Sequence, residues 1–179
     1  MSAHALLRAA TRAAHDRVDA LFGDLDLSRA ADYRHFLTAQ AAAFLPVEAA
    51  LDRSGAAALF PCWDQSRRSL LLRADLETLG IAVPPPVAEP ILPSVAAIAG
   101  AAYVLEGSRL GGAVLARRVS GNEPCRFLSA IQPSGQWRVF LARLEQLLGS
   151  DVDRREAVTS AEQVFGSFAL AASLHSEVS

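Results

Sequence analysis

The sequence is poor in several features that would point to particular classes of protein. It contains no lysine, so all 17 basic residues are arginines, and the formal net charge of −2 argues against a broad basic surface for nucleic acid. Cys62 and Cys125 are isolated and lack the paired spacing of a zinc site. The longest run without a charged residue, Pro90 to Leu105, has 16 residues and contains two prolines, so it is too short and interrupted to span a bilayer. The first residues lack the basic and apolar segments of a signal peptide. A cytoplasmic protein with one domain, residues 1–179, is predicted.

What the sequence does contain is helical periodicity. Hydrophobic residues make up 51% of the chain, and no segment alternates convincingly between apolar and polar residues as a strand would. The pattern therefore predicts an all-α fold of six or seven helices. Ser28 is the predicted N-cap of the second helix. The predicted helices are 3–22, 28–53, 64–79, 93–119, 136–148 and 151–175, with one or two further turns over 126–131.

Three glycines interrupt the predicted helix 93–119. Each costs about 1 kcal/mol relative to alanine inside a helix, so Gly107, Gly111 and Gly112 need a reason to be there. Gly107 and Gly111 are one turn apart on the same face. A helix without side chains on one face can bend there and let another group come close to its backbone. That group is either a second helix or a flat ligand, and this stretch alone leaves both open.

The first predicted helix carries a histidine inside its apolar stripe. His15 lies among residues that repeat at three- and four-residue steps, whereas His4 is near the chain terminus and is expected to face solvent. Asp19 follows one turn after His15, where its carboxylate can orient the imidazole. A histidine in such a stripe is commonly a hydrogen-bonded core residue, but a single histidine also suits the axial position of haem iron.

Other metal chemistry fits the sequence less well. A di-iron carboxylate bundle needs paired Glu-x-x-His motifs, and none occurs. A zinc site would need more histidines or paired cysteines. The glycine-rich stretch is not a phosphate-binding loop either, because no strand precedes it.

Two segments together resemble the haem oxygenase family. Segment 7–15, LRAATRAAH, resembles the helix that carries the proximal histidine in that family, and segment 103–112, YVLEGSRLGG, resembles its kinked, glycine-rich distal helix. The bacterial members, including those found beside bacteriophytochromes, look most similar. The order and separation of the two segments and the helical layout fit as well, so the resemblance covers most of the chain.

The resemblance implies a haem held between these two helices. His15 would be the axial iron ligand, with Asp19 as its partner. The backbone at Gly107, Gly111 and Gly112 would lie over the distal side, together with Ser108. The remaining implied haem-binding residues are Arg8, Arg12, Tyr103 and Arg109, and Glu48 of the second helix is expected to be structural.

The activity implied by the resemblance is oxidative cleavage of haem. Haem is both substrate and cofactor, dioxygen is the oxidant, and an external donor such as a ferredoxin or a flavoprotein reductase supplies electrons. The products are biliverdin, carbon monoxide and ferrous iron, and a bacteriophytochrome is a candidate acceptor of the biliverdin. Neither nucleic acid nor a membrane is an expected partner.

The chain departs from parts of the family pattern. Many members have an aspartate where this chain has Ser108, and some bacterial members have an asparagine where it has Arg109. A serine can still hold a water molecule. Two further hypotheses therefore stand beside the enzyme: a haem carrier or sensor that uses the same pocket, and a helical interaction module that has lost the ligand.

Overall fold

The computed structural model describes residues 1–130 and 132–176, and within these ranges all regular structure is helical. The all-α prediction is confirmed. Two of the helices are single turns, and only Thr11 separates the first helix from the second, so the longer helices match the predicted number. They are α1 (Ala3–Ala10), α2 (Arg12–Gly23), α3 (Ala30–Arg53), α4 (Ala56–Leu59), α5 (Trp63–Ser66), α6 (Ser69–Thr78), α7 (Val95–Ala116), α8 (Gln136–Leu147) and α9 (Asp151–Ser176).

Helix α9 packs against α7, α3, α2 and α1 and so lies at the centre of the fold. Its approach to α7 is very close: a Cβ atom at Gly100 would lie 2.0 Å from the carbonyl oxygen of Ala157. Ser160 strengthens the same contact by donating a 2.7 Å hydrogen bond to the carbonyl of Ala97. Gly100 was not among the glycines singled out in the sequence, yet it is the one that helix packing requires most.

Helix α3 forms much of the core and continues through a proline. Pro46 has no N–H to donate to the carbonyl of Ala42, four residues earlier. The amide of Val87 supplies the missing hydrogen bond at 3.1 Å. The proline-rich segment before α7, which contains Val87, is thus joined to α3 at the Ala42 carbonyl that Pro46 leaves without its helix partner.

The start of α3 differs from the prediction. Its N-cap is Arg29, and Ser28 does not cap the helix. The hydroxyl and the amide of Ser28 instead donate to the carboxylate of Asp26, at 2.7 and 3.1 Å. A local turn closed by an aspartate competes successfully with the cap.

The predicted helix 64–79 is broken into α5 and α6. The amides of Arg68 and Ser69 donate to the two carboxylate oxygens of Glu48, at 2.7 and 2.8 Å. Glu48 is buried in α3 and caps α6, although it precedes Arg68 by 20 residues in the chain. Its expected structural role is confirmed. The segment 126–130 forms a turn closed by Ser129 and Cys125, and residue 131 lies outside the described ranges.

The beginning of α1 is fixed by a carboxylate from α8. Glu145 accepts hydrogen bonds from the amides of Ala3 and His4, at 2.8 and 3.0 Å. The Ser2 hydroxyl accepts another from Ala5. The expectation that His4 faces solvent at a frayed end is therefore wrong: the capped helix holds it in place, half-buried. Within the described residues, no helix has the length and apolar character needed to cross a membrane.

Gly100→Ala should destabilise the fold, because its methyl group would have to displace backbone atoms of α9. Overpacking costs typically about 1–3 kcal/mol, which corresponds to a fall of several degrees in the thermal midpoint. Gly111→Ala is the matched control on the same helix, since nothing lies within 4 Å of its added Cβ. Circular-dichroism melting of both variants tests this, and equal midpoints would contradict it.

Glu145→Gln should weaken the attachment of α1. Burial raises the pKa of Glu145, but the hydrogen bonds from His4, Ala3 and Ser2 outweigh it, so the pKa falls below its ordinary value of 4.5. A lowered folded-state pKa means that the stabilisation is present above the unfolded pKa and is lost as the pH falls through the folded value. The variant should lose about 1 kcal/mol at neutral pH, as for a lost N-cap, and the difference from wild type should vanish in acid. Urea titrations at neutral pH and well below pH 4.5 measure this, and a difference that persists in acid would contradict it.

Candidate functional site

The glycines of α7 differ in what surrounds them. A Cβ at Gly112 would lie 3.4 Å from the carbonyl oxygen of Leu128, which is an ordinary van der Waals distance on the buried side of α7. At Gly107 the nearest atom would be the Trp137 ring at 4.0 Å, and at Gly111 nothing among the described residues lies within 4 Å outside the helix's own backbone. Close helix packing thus requires a glycine at Gly100 but not at Gly107, Gly111 or Gly112. The helix is continuous through all of them, and its predicted bend stays a prediction.

Apolar side chains flank Gly107 and Gly111 without being covered. Leu110 is 50% exposed and Val114 is 60% exposed. The spacing of 107, 110, 111 and 114 places all four on one side of the helix. We call this surface, made by Gly107, Leu110, Gly111 and Val114, the open face of α7. It combines apolar contact with unobstructed access to the backbone.

His15 lies on α2 with its side chain 57% exposed, and α2 contains no fully buried residue. Its Nδ1 is 3.2 Å from the Asp19 carboxylate, which has an exposure of 67%. An imidazole that donates from Nδ1 to a carboxylate keeps the lone pair of Nε2 free for a metal. The predicted pairing of His15 with Asp19 is therefore present. The Phe165 ring of α9 lies edge-on to the imidazole, with 5.8 Å between ring centroids.

A cluster of polar groups lies where α1 meets α7. The His4 ring is 6.0 Å from the Tyr103 ring and equally far from Trp137 of α8. Burial raises the pKa of Tyr103, while the positive charge of Arg8 acts to lower it. The phenol therefore stays protonated at neutral pH as a hydrogen-bond donor beside a cation. Two of the implied haem-binding residues, Tyr103 and Arg8, are thus close enough for the charge of one to act on the other, and His4, which was expected to face solvent, lies beside Tyr103.

Arg12 and Arg109 differ in their surroundings. Arg12 is exposed and lies 3.8 Å from Asp16, one turn along α2. Arg109 is only 4% exposed, and its guanidinium donates to the carbonyl of Ser66. A predicted haem contact by Arg109 is not supported by this geometry, because a buried hydrogen bond to α5 holds the side chain.

Ser108 is anchored from beneath the helix by a residue that sequence reasoning missed. Arg68 is 3% exposed and donates from one nitrogen, Nη2, to both Ser108 Oγ and the Leu105 carbonyl, at 2.7 and 2.8 Å. The Ser108 hydroxyl in turn donates to the Leu105 carbonyl at 2.7 Å. No motif marks Arg68, since 40 residues separate it from Ser108.

The described residues thus offer three separate features: an exposed, carboxylate-paired imidazole, an uncovered apolar helix face with accessible backbone, and a cluster of Arg8, His4 and Tyr103. A flat apolar ligand that carries a metal and acidic groups matches this combination of chemistries. Phosphate or zinc chemistry has no comparable set of groups in this part of the molecule.

Comparison with known proteins agrees with this chemistry. No family model matches the sequence. A haem oxygenase of Xanthomonas campestris pv. campestris (strain 8004) is 40% identical over 116 residues, which cover 59% of this chain and 67% of that protein. The NO- and CO-bound haem oxygenase of Neisseria meningitidis has the same fold, with a TM-score of 0.85 at 24% identity over 98% of this chain and 92% of that one. From the identity to the Xanthomonas protein and the extent of the match, the chain belongs to the haem oxygenase family.

Proposed function

We propose that this enzyme binds haem between α2 and the open face of α7 and cleaves it to biliverdin, carbon monoxide and ferrous iron. Two separate observations support the proposal: the exposed His15–Asp19 contact on α2, and the open face of α7, where no described residue would lie within 4 Å of a Cβ at Gly111. The haem supplies both the iron that activates dioxygen and the macrocycle that is cleaved. The protein contributes binding, orientation and hydrogen bonding.

His15 is the proposed axial ligand. Its exposure leaves the ring accessible to a ligand, and the 3.2 Å contact with Asp19 favours the tautomer that carries its hydrogen on Nδ1 and leaves Nε2 free. A carboxylate acceptor also raises the basicity of the imidazole, which strengthens its bond to iron. Phe165 limits the rotation of the ring from the α9 side.

Arg8 and Tyr103 are the proposed partners of the haem propionates. Arginine pairs with carboxylates through charge-assisted hydrogen bonds, and Tyr103 stays a donor because burial raises its pKa. Arg12 extends the positive charge along the exposed side of α2, where Asp16 partly offsets it.

The open face of α7 is the proposed distal wall. Gly107 and Gly111 let the backbone lie against the macrocycle, and Leu110 and Val114 cover its apolar surface. Ser108 provides a hydroxyl beside Gly107 that can hold a water molecule. The glycine backbone leaves room on this side for dioxygen.

The reaction needs partners beyond the substrate. We propose a ferredoxin or a flavoprotein reductase as the electron donor, a bacteriophytochrome as an acceptor of biliverdin, and the cytoplasm as the location. A direct test of the activity is to add haem and then a reductant in air, and to follow the visible spectrum. Conversion to biliverdin is expected, whereas haem that survives would point to a carrier or sensor.

His15→Ala should alter the Soret band and the spin state of bound haem, because the axial nitrogen is lost while much of the apolar contact stays. Asp19→Ala should act more mildly, with a loss of about 10–100-fold in affinity or activity, as is usual for residues that orient a ligand. Absorbance spectra and haem titrations measure both. A wild-type spectrum in His15→Ala would show that another residue binds the iron, and His35→Ala on α3 would then be tested next.

Gly111→Ala should impair turnover without impairing the fold. The added methyl group meets no protein atom within 4 Å and can favour the helix by up to about 1 kcal/mol. It would, however, project from the proposed distal wall toward the space for dioxygen. We expect an unchanged thermal midpoint and haem affinity, with slower biliverdin formation or diversion to peroxide.

The comparison for this prediction is Ser108→Ala, which removes a polar group without adding bulk and should slow the reaction less. Melting, haem titration and single-turnover spectra on the three proteins decide the matter. Normal turnover in Gly111→Ala would exclude an approach of the ligand to this backbone.

A further inference from the structure

A buried cation lies beneath the distal part of α7. The guanidinium of Arg68 is placed over the rings of Phe44 and Phe127, with its central carbon 4.8 and 5.0 Å from the ring centroids. Burial and the nearby charge of Arg109 lower the pKa of Arg68 to about 10, while Glu106 and Glu48 raise it. The side chain therefore remains positively charged at neutral pH.

The position of this cation is fixed from three sides. The backbone amide of Arg68 is held by Glu48 of α3 at 2.7 Å, which sets where the side chain begins. The two aromatic rings confine the guanidinium plane by cation–π contact. At its end, Nη2 donates to both the Leu105 carbonyl, at 2.8 Å, and Ser108 Oγ, at 2.7 Å.

This arrangement determines what the Ser108 hydroxyl can do. A hydroxyl has one hydrogen and two acceptor lone pairs. The hydrogen is donated to the Leu105 carbonyl, and one lone pair accepts from Arg68. A single acceptor position is left, and Ser108 is exposed on α7 directly after Gly107 of the open face. The hydroxyl can therefore receive a hydrogen bond from a ligand or a water molecule, but has no hydrogen left to donate.

We propose that Arg68 is a positioning residue that holds the turn from Leu105 to Ser108 and presents the Ser108 hydroxyl to the ligand as a hydrogen-bond acceptor only. A water molecule that donates one hydrogen to Ser108 keeps its second hydrogen for the bound substrate. Arg68, on the buried side of α7, thus determines that the Ser108 hydroxyl accepts a hydrogen bond from the ligand side. The role of Ser108 toward the ligand rests on the proposed haem-cleaving function. The hydrogen bonds from Arg68 to Leu105 and Ser108, which we call the tether, do not depend on that function.

Arginine is suited to this task in a way that lysine is not. Its planar group lies against aromatic rings and holds its N–H donors at fixed angles, whereas an ammonium group is a rotating point charge. Arg68→Lys should therefore keep the buried positive charge but lose the defined geometry. Arg68→Met removes the charge as well.

The tether can be tested in the ligand-free protein by hydrogen–deuterium exchange. Peptides covering residues 104–112 should exchange several-fold faster in Arg68→Lys and Arg68→Met than in wild type. Arg67→Met is the matched control, because Arg67 is the neighbouring arginine, is 46% exposed and forms ion pairs with the partly exposed carboxylates of Asp52 and Asp64. A wild-type exchange rate in Arg68→Lys would contradict the proposed tether. If Arg68→Met fails to fold, the exchange rate of Arg68→Lys still tests the tether.

A double-mutant cycle tests whether Arg68 acts through Ser108. The rate of biliverdin formation with ascorbate in air is measured for wild type, Arg68→Lys, Ser108→Ala and the double variant. Arg68→Lys should slow the reaction several-fold in the wild-type background and change it little when Ser108 is already alanine. Equal slowing in both backgrounds would overturn the proposal, since a merely structural role would not depend on the hydroxyl. If wild type does not convert haem at all, the proposed function fails, and the exchange result still decides on the tether.

Discussion

The close contact between α7 and α9 is the constraint on which the rest of the structure depends. At Gly100 the backbones approach so closely that no side chain fits, and the Ser160 hydroxyl joins the two helices at Ala97. This contact commits one side of α7 to the core. Gly107 and Gly111 then lie on a different side, where a Cβ at Gly107 would meet only the edge of the Trp137 ring, at 4.0 Å, and a Cβ at Gly111 would meet nothing within 4 Å among the described residues. Gly100 thus allows the close contact with α9, whereas Gly107 and Gly111 leave the backbone of α7 accessible on another side.

Carboxylates that cap backbone amides from far away in the chain hold the other elements in place. Glu145 fixes the start of α1, Glu48 fixes the start of α6, and the fully buried Asp75 accepts hydrogen bonds from the amides of Arg126 and Phe127, at 3.1 and 2.8 Å. Each joins residues that lie between 20 and 142 positions apart. The bonds to Glu48 explain why the predicted helix 64–79 is broken in two. The periodicity reports which face is buried, whereas this break is set by a partner that the local sequence does not reveal.

The candidate site was predictable to a similar extent. The His15–Asp19 pair follows from a four-residue spacing on one helix, and the open glycine face follows from the spacing of Gly107 and Gly111, so both could be read from the sequence. Their roles toward haem remain proposals. The contribution of Arg68 could not be foreseen, because it depends on how α6 packs under α7. Arg109 shows the converse: its place in the motif suggested a ligand contact, but its side chain turns inward to Ser66.

A serine at position 108 suits the positive charge of Arg68 on the buried side of α7. Arg68 approaches to 2.7 Å, and Arg109 is close enough to lower its pKa, so two arginines are buried together with Glu48 and Glu106 of opposite sign. An aspartate at position 108 would pair with Arg68 and would add a third carboxylate to a group that now holds two arginines and two glutamates. A serine accepts from the same arginine without changing the net charge and keeps one lone pair available. The departure of this chain from the family pattern on the surface of α7 is therefore consistent with the placement of its positive charge below the helix.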